Sequence, residues 1–212
     1  MAKRNQVEEA IAFVLEPGSA KPSSEMRTRI KRLLETDRGL GRNKRSVDPE
    51  RANFAFYSID APGRGVEIRF SDYEAFALLI GLQLMRHRWS QRFAVALLRR
   101  VRPELEKQHA RILKQDPAVL FDEKLIRQRA RPGDIAVDNT DPVFLTIMST
   151  HREDRSGSYP VAICRGQGQL TDFHRQHRAG QTFTIYELVN SVHALSSALA
   201  KTKPRKRGRG SR

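Results

Sequence analysis

The sequence predicts an α+β protein, and three observations carry that expectation. Between Ser23 and Leu98 a basic helix, a short hairpin and two Ser-capped apolar helices follow one another. Beyond Pro132-Gly133 the pattern changes to two short strand-like runs and a final apolar helix. Residues 201–212 (KTKPRKRGRGSR) carry seven cations and no acidic residue. The expected organisation is a helical unit with a hairpin over residues 5–115, a small α+β domain over 133–200, and a disordered basic tail over 201–212.

Taken in order, residues 7–15 place Val7, Ala10, Ile11, Val14 and Leu15 on one helical face, and Pro17-Gly18 ends that element. Ser24 is positioned to cap the next helix. Its apolar stripe is Met26, Ile30, Leu33 and Leu34, its opposite face is cationic, and Gly39 is placed to stop it. Residues 41–51 are polar and basic, which predicts a loop. Residues 53–59 and 66–70 read as strands joined by a Pro62-Gly63-Arg64-Gly65 turn. Ser71 and Ser90 cap two helices whose core positions are Phe76, Leu79, Ile80 and Leu84, then Phe93, Ala94, Leu97 and Leu98. Pro103 suits the first turn of a further helix. A short helical stretch is expected over 121–129, strands over 143–148 and 161–164, a polar stretch over 174–180, and a last helix capped by Thr184.

Charge is distributed unevenly. Residues 1–115 hold 23 Lys and Arg against 14 Asp and Glu, residues 116–200 hold 9 against 10, and the tail holds the rest of a net +15. A basic front and tail around a neutral middle fit a polyanion-facing surface joined to a domain with another task. The longest apolar run, residues 75–82, is too short to span a bilayer. Cys164 is the single cysteine, which excludes an intrachain disulfide and fits a reducing, cytoplasmic setting.

The basic helix has a chemistry. Duplex DNA offers phosphates at its groove edges and guanine acceptors in the major groove, and Arg makes bidentate contacts to either. Ser24, Arg27, Thr28, Lys31 and Arg32 lie at the start of this helix. Lys44 and Arg45 follow in the loop, Arg64 sits at the hairpin tip, and Arg69 lies on the returning strand. These nine are the expected DNA-binding residues.

At residues 71–98 the sequence resembles the MerR-type winged helix-turn-helix regulators. Ser71 and Ser90 are nineteen apart, the spacing that family uses, and His87-Arg88-Trp89-Ser90 occupies its inter-helix turn. Residues 65–70 are similar to the family's wing strand, and Arg38-Gly39-Leu40 to the end of its recognition helix. The resemblance covers residues 5–98 at most. Arg88 replaces the turn glycine, the paired aromatics usual in the recognition helix are absent with Leu33 and Leu34 near their places, the loop between helix and wing is longer, and no long coiled coil follows. It implies a winged helix-turn-helix whose basic helix enters the major groove.

The expected partner is thus double-stranded DNA, bound sequence-specifically, as by a bacterial transcriptional regulator or mobile-element accessory factor. A homodimer would impose half-site spacing, and a nucleoid-associated location follows. No enzyme activity, cofactor, metal or membrane partner is expected. His151, Asp154, Cys164, His174 and His177 lack a second ligand pair at zinc spacing. An RNA-binding protein is the alternative, and a metal-dependent nuclease a more remote one.

Overall fold

The structure, a computed structural model, describes residues 1–19, 21–58, 68–150, 159–177 and 181–204, with the backbone alone at 150 and 181. The chain divides into two compact units. One takes Met1–Arg102 with the segment from Ala194 onward, and the other takes Pro103–His193. The class is α+β, with helices joined by small antiparallel sheets.

The first unit opens with β1 (Ala2–Lys3) and α1 (Arg4–Leu15), followed by α2 (Ser24–Gly39), α3 (Pro49–Ala52) and β2 (Arg69–Phe70). Next come α4 (Asp72–Arg86) and α5 (Gln91–Ile112). The centre is α4. Every residue from Tyr73 to Leu82 is buried, so the helix is covered on all sides rather than along one stripe. Its start is a capping box. The Ser71 hydroxyl accepts from the Glu74 amide at 3.2 Å, and the Glu74 carboxylate accepts from the Ser71 amide at 2.7 Å. Gly81 lets three neighbours close in. A Cβ there would stand 3.3 Å from Leu33, and 3.4 Å from both Leu98 and Phe56.

The expected hairpin differs. Its turn, with Arg64, lies outside the described residues. Residues 53–58 form no strand, and Arg69–Phe70 pairs antiparallel with Ala2–Lys3. The reason is that side chains take the hydrogen bonds a ladder would have taken. The amides of Ala55 and Phe56 donate to the Asp37 carboxylate, and the carbonyls of Phe54 and Tyr57 accept from Arg102.

Three further expectations are corrected in this unit. Ser23, not Ser24, caps α2, accepting from the Met26 amide at 3.1 Å. Pro103 starts no new helix, because α5 runs through it. The basic tail is not free from its first residue. Lys201 belongs to the last helix, its ammonium lies 5.7 Å from the Phe13 ring centre, and the Thr202 carbonyl accepts from Gln6.

The second unit contains the last part of α5, then α6 (Pro117–Leu120), α7 (Glu123–Arg129), β3 (Val143–Thr150), β4 (Val161–Arg165), α8 (Gly166–Gln176) and β5 (Gln181–Glu187). The start of α9 (Val189–Lys201) closes it. Its sheet runs β4-β3-β5, both pairings antiparallel, with Phe144 opposite Cys164 on one side and Glu187 on the other. Phe144, Cys164 and Leu170 form a small core with Val137, Ala162, Phe173 and Ile185 packed on it. The expected strands at 143–148 and 161–164 are present, each slightly longer. Thr184 caps nothing. It lies in β5, and the carboxylate of Glu187 accepts from the Val189 and Asn190 amides at 2.8 Å each. Residues 174–176, read as part of a polar stretch, end α8.

The turn between α4 and α5 closes on a strained residue. Arg88 has φ +67°, the left-handed region, while the Trp89 amide donates to the Leu84 carbonyl at 3.1 Å. A glycine adopts this conformation without the Cβ clash. Arg88→Gly is therefore expected to stabilise the first unit by about 1 kcal/mol, read as a raised denaturant midpoint at unchanged slope. A lowered midpoint would contradict the turn geometry.

Candidate nucleic-acid interface

The basic helix α2 is built from its own sequence outward. Glu16 accepts from the Ser23 hydroxyl at 3.0 Å and fixes the capping residue. Met26, Ile30, Leu33, Leu34 and Asp37 are buried on one side. Ser24, Arg27, Thr28, Lys31 and Arg32 are all exposed on the other, so the structure brings these five expected residues onto one helix face.

Their partners differ. Arg27 lies 3.9 Å from Glu8 of α1, a carboxylate that also accepts from Arg4 at 2.7 Å. Thr28 donates its hydroxyl to the Ser24 carbonyl at 2.9 Å, and Lys31 stands 3.7 Å from Glu35. The Arg32 carbonyl accepts from the Gln91 side chain at 3.2 Å, and Gln91 also donates to the Thr36 hydroxyl. Among the described residues, the Arg32 guanidinium itself has no hydrogen bond or ion pair.

The other expected cations sit on different elements of the same unit. Lys44 and Arg45 are exposed in the loop after α2, where the Arg45 amide donates to Asn43. Arg69 is exposed on β2, directly opposite Lys3 of β1. Arg64 lies outside the described residues.

What holds α2 in place is a charge on its apolar stripe. Asp37 is wholly buried, one turn beyond Leu33 and Leu34. Its carboxylate accepts from the Ala55 amide at 3.1 Å, the Phe56 amide at 2.9 Å and Arg99 Nε at 2.6 Å. Arg99 also donates to the Gly41 carbonyl at 2.7 Å and to the Asp37 carbonyl. One turn along α5, Arg102 donates to the Phe54 and Tyr57 carbonyls at 2.6 Å each and lies 5.2 Å from the Tyr73 ring centre. Ser58 continues the network to Glu74 at 2.8 Å. Burial pushes the Tyr57 hydroxyl pKa up, and Arg38 beside it opposes that shift.

Sequence reasoning counted Arg99 and Arg102 only as charge, and passed over Asp37 and Gln91. A signal for Asp37 was present, since it continues the stripe at i+3 from Leu34. A carboxylate at a stripe position is a buried charge that needs donors. Among the described residues no group of three His, Cys, Asp or Glu could hold a metal ion, and no helix is long and apolar enough to cross a membrane. Compared with protein-family models, curated proteins and solved structures, the chain matches none.

Two classes of cation follow from this geometry. Arg99→Ala would leave Asp37 buried without its counter-charge and should cost about 3–5 kcal/mol. Lys31→Ala and Arg32→Ala, both on the exposed face, should stay within about 0.5 kcal/mol. Urea unfolding of the three variants checks this, and an Arg99→Ala midpoint equal to that of Lys31→Ala would contradict it.

Proposed function

We propose that the first unit binds duplex DNA sequence-specifically through the exposed face of α2. The observation that carries this reading is the division of that helix. One side is sealed into the core by an apolar stripe and a fully bonded carboxylate. The other presents Arg27, Thr28, Lys31 and Arg32 to solvent. A rigid helix with a cationic face supplies what major-groove recognition needs: preorganised donors whose position does not depend on the ligand.

The MerR-type winged helix-turn-helix reading draws on three further features. Ser71 caps α4, and the Ser90 hydroxyl accepts from the Phe93 amide at 3.2 Å, so both expected caps form. The residue at the turn glycine's place has the backbone conformation that favours glycine. The pairing of β1 with β2 sets Lys3 and Arg69 side by side, next to the segment read as a wing.

In this reading Arg27 and Lys31 select bases. Arg32, Lys44, Arg45 and Arg69 hold phosphates, with the cations of the chain's end adding affinity without selection. The protein acts as a regulator or mobile-element accessory factor in the cytoplasm, at the nucleoid, and binds as a homodimer across paired half-sites. Its work is binding rather than turnover.

Selection from a random duplex pool, followed by titration, tests the proposal. The unchanged chain should enrich one motif. Arg27→Ala with Lys31→Ala should lose that preference while folding normally. Arg32→Ala with Arg45→Ala should keep the preference and flatten the slope of log K against log salt by about 2. A pool that enriches nothing, tighter binding to structured RNA than to duplex DNA, or strand cleavage on adding Mg²⁺ would each overturn it.

A further inference from the structure

We propose that a cleft in the first unit, where α1 ends, α2 begins and α4 ends, binds a small organic carboxylate with an apolar body. The cleft has a volume of about 480 Å³, within the usual range of small-molecule pockets. Its lining divides by chemistry. Met26 and Leu82 are buried and Leu15 and Met85 half-buried, and these four apolar side chains include two methionines that adapt to an irregular guest. Charged side chains form the rim.

The rim charges are not equivalent. Glu16 is committed to the Ser23 hydroxyl at 3.0 Å, and Glu25 to Arg29 at 2.5 Å. Arg86 donates one N–H to the Leu15 carbonyl at 3.0 Å. Arg88 is different. It lines the cleft, and among the described residues its guanidinium has no hydrogen bond or ion pair. Its backbone is also held at φ +67°, a conformation that costs free energy for any residue but glycine.

These facts define the guest. Arg29, Arg86 and Arg88 line the cleft against Glu16 and Glu25, one cation in excess, and among the described residues Arg88 is the one of the three whose guanidinium has no hydrogen bond, which suits an anion. A carboxylate matches the guanidinium fork with two parallel hydrogen bonds. The four apolar side chains of the lining have nothing to offer inorganic phosphate, but the half-buried Leu15 and Met85 give an alkyl or aryl body something to pack on. The cleft therefore fits a medium-chain or aryl carboxylate, with its head at Arg88 and its body on Met26, Leu82, Leu15 and Met85. This holds whether or not α2 binds DNA.

The test uses the full chain, with octanoate below its micelle concentration as the probe. Trp89 is the chain's single tryptophan and follows Arg88, stacked on Phe93 with ring centres 4.4 Å apart. Its emission and ligand-observed NMR both report occupancy. Octanoate should bind saturably, with octanol and octylamine at least about tenfold weaker, as expected when a charge-assisted hydrogen bond is lost. Arg88→Gly relaxes the backbone and keeps the fold, and it should weaken octanoate about tenfold. Arg92→Gln, outside the lining, should leave the affinity unchanged. The proposal is overturned if neither signal saturates, if octanol or octylamine binds as tightly as octanoate, or if Arg88→Gly binds it like the unchanged chain.

Discussion

A carboxylate taken wholly out of water must be met by donors, and at Asp37 the donors come from two other parts of the first unit. Two are backbone amides of Ala55 and Phe56, and one is Arg99 Nε of α5. Desolvating both charges costs several kcal/mol, offset only where geometry and further hydrogen bonds are good. Here the remaining donors of Arg99 reach the Gly41 and Asp37 carbonyls. The result is less a source of net stability than a constraint. The helix α2, the segment 53–58 and α5 can meet in one arrangement only, because any other strands a buried charge.

That constraint explains how a stretch without regular structure lies in the core. Phe54, Ala55, Phe56 and Tyr57 are all buried, yet they form neither helix nor strand. Two of their amides and two of their carbonyls are satisfied from the side by Asp37 and Arg102, and Phe56 packs against α4, where Gly81 makes room for it. Position in the sequence does not sort the arginines of this unit, but burial does. Arg99 and Arg102 are 3% and 7% exposed and hold the fold, while Arg32 and Arg88 face solvent. The second unit meets a half-buried carboxylate differently. Glu187 is held by the Val189 and Asn190 amides and the Asn139 side chain, and burial raises its pKa.

Where the sequence was legible, local chemistry decided the structure. The Ser71 cap, the apolar run 75–82 within α4 and the β-branched runs of β3 and β4 each need only neighbouring residues to be read. Elsewhere tertiary partners decided. The run NFAFYS reads like a strand, but its hydrogen bonds go to Asp37, 18 and 19 residues earlier, and to Arg102, 45 and 48 residues later. Strand β5 was hidden because Ile185, Leu188, Val189 and Val192 also fit helical spacing. Helix α8 starts on Gly166-Gln167-Gly168, a poor helical signature, and is held by packing of Leu170 and Phe173. On the candidate interface, the cationic face of α2 was legible from periodicity. Of its anchor only Asp37 left a signal, as a carboxylate on the apolar stripe; its partners Arg99, Ala55 and Phe56 left none, because they are long-range contacts with no local sequence period.

The central claim is that side chains, not a strand ladder, protect the backbone of residues 53–58. Native-state hydrogen exchange of the Ala55 and Phe56 amides tests it most directly. The account predicts that both exchange as slowly as the amides in the middle of α4, and that Asp37→Asn speeds them far more than it speeds those of α4. Exchange of Ala55 and Phe56 as fast as that of the amide of the fully exposed loop residue Val47, in the unchanged protein, would contradict it.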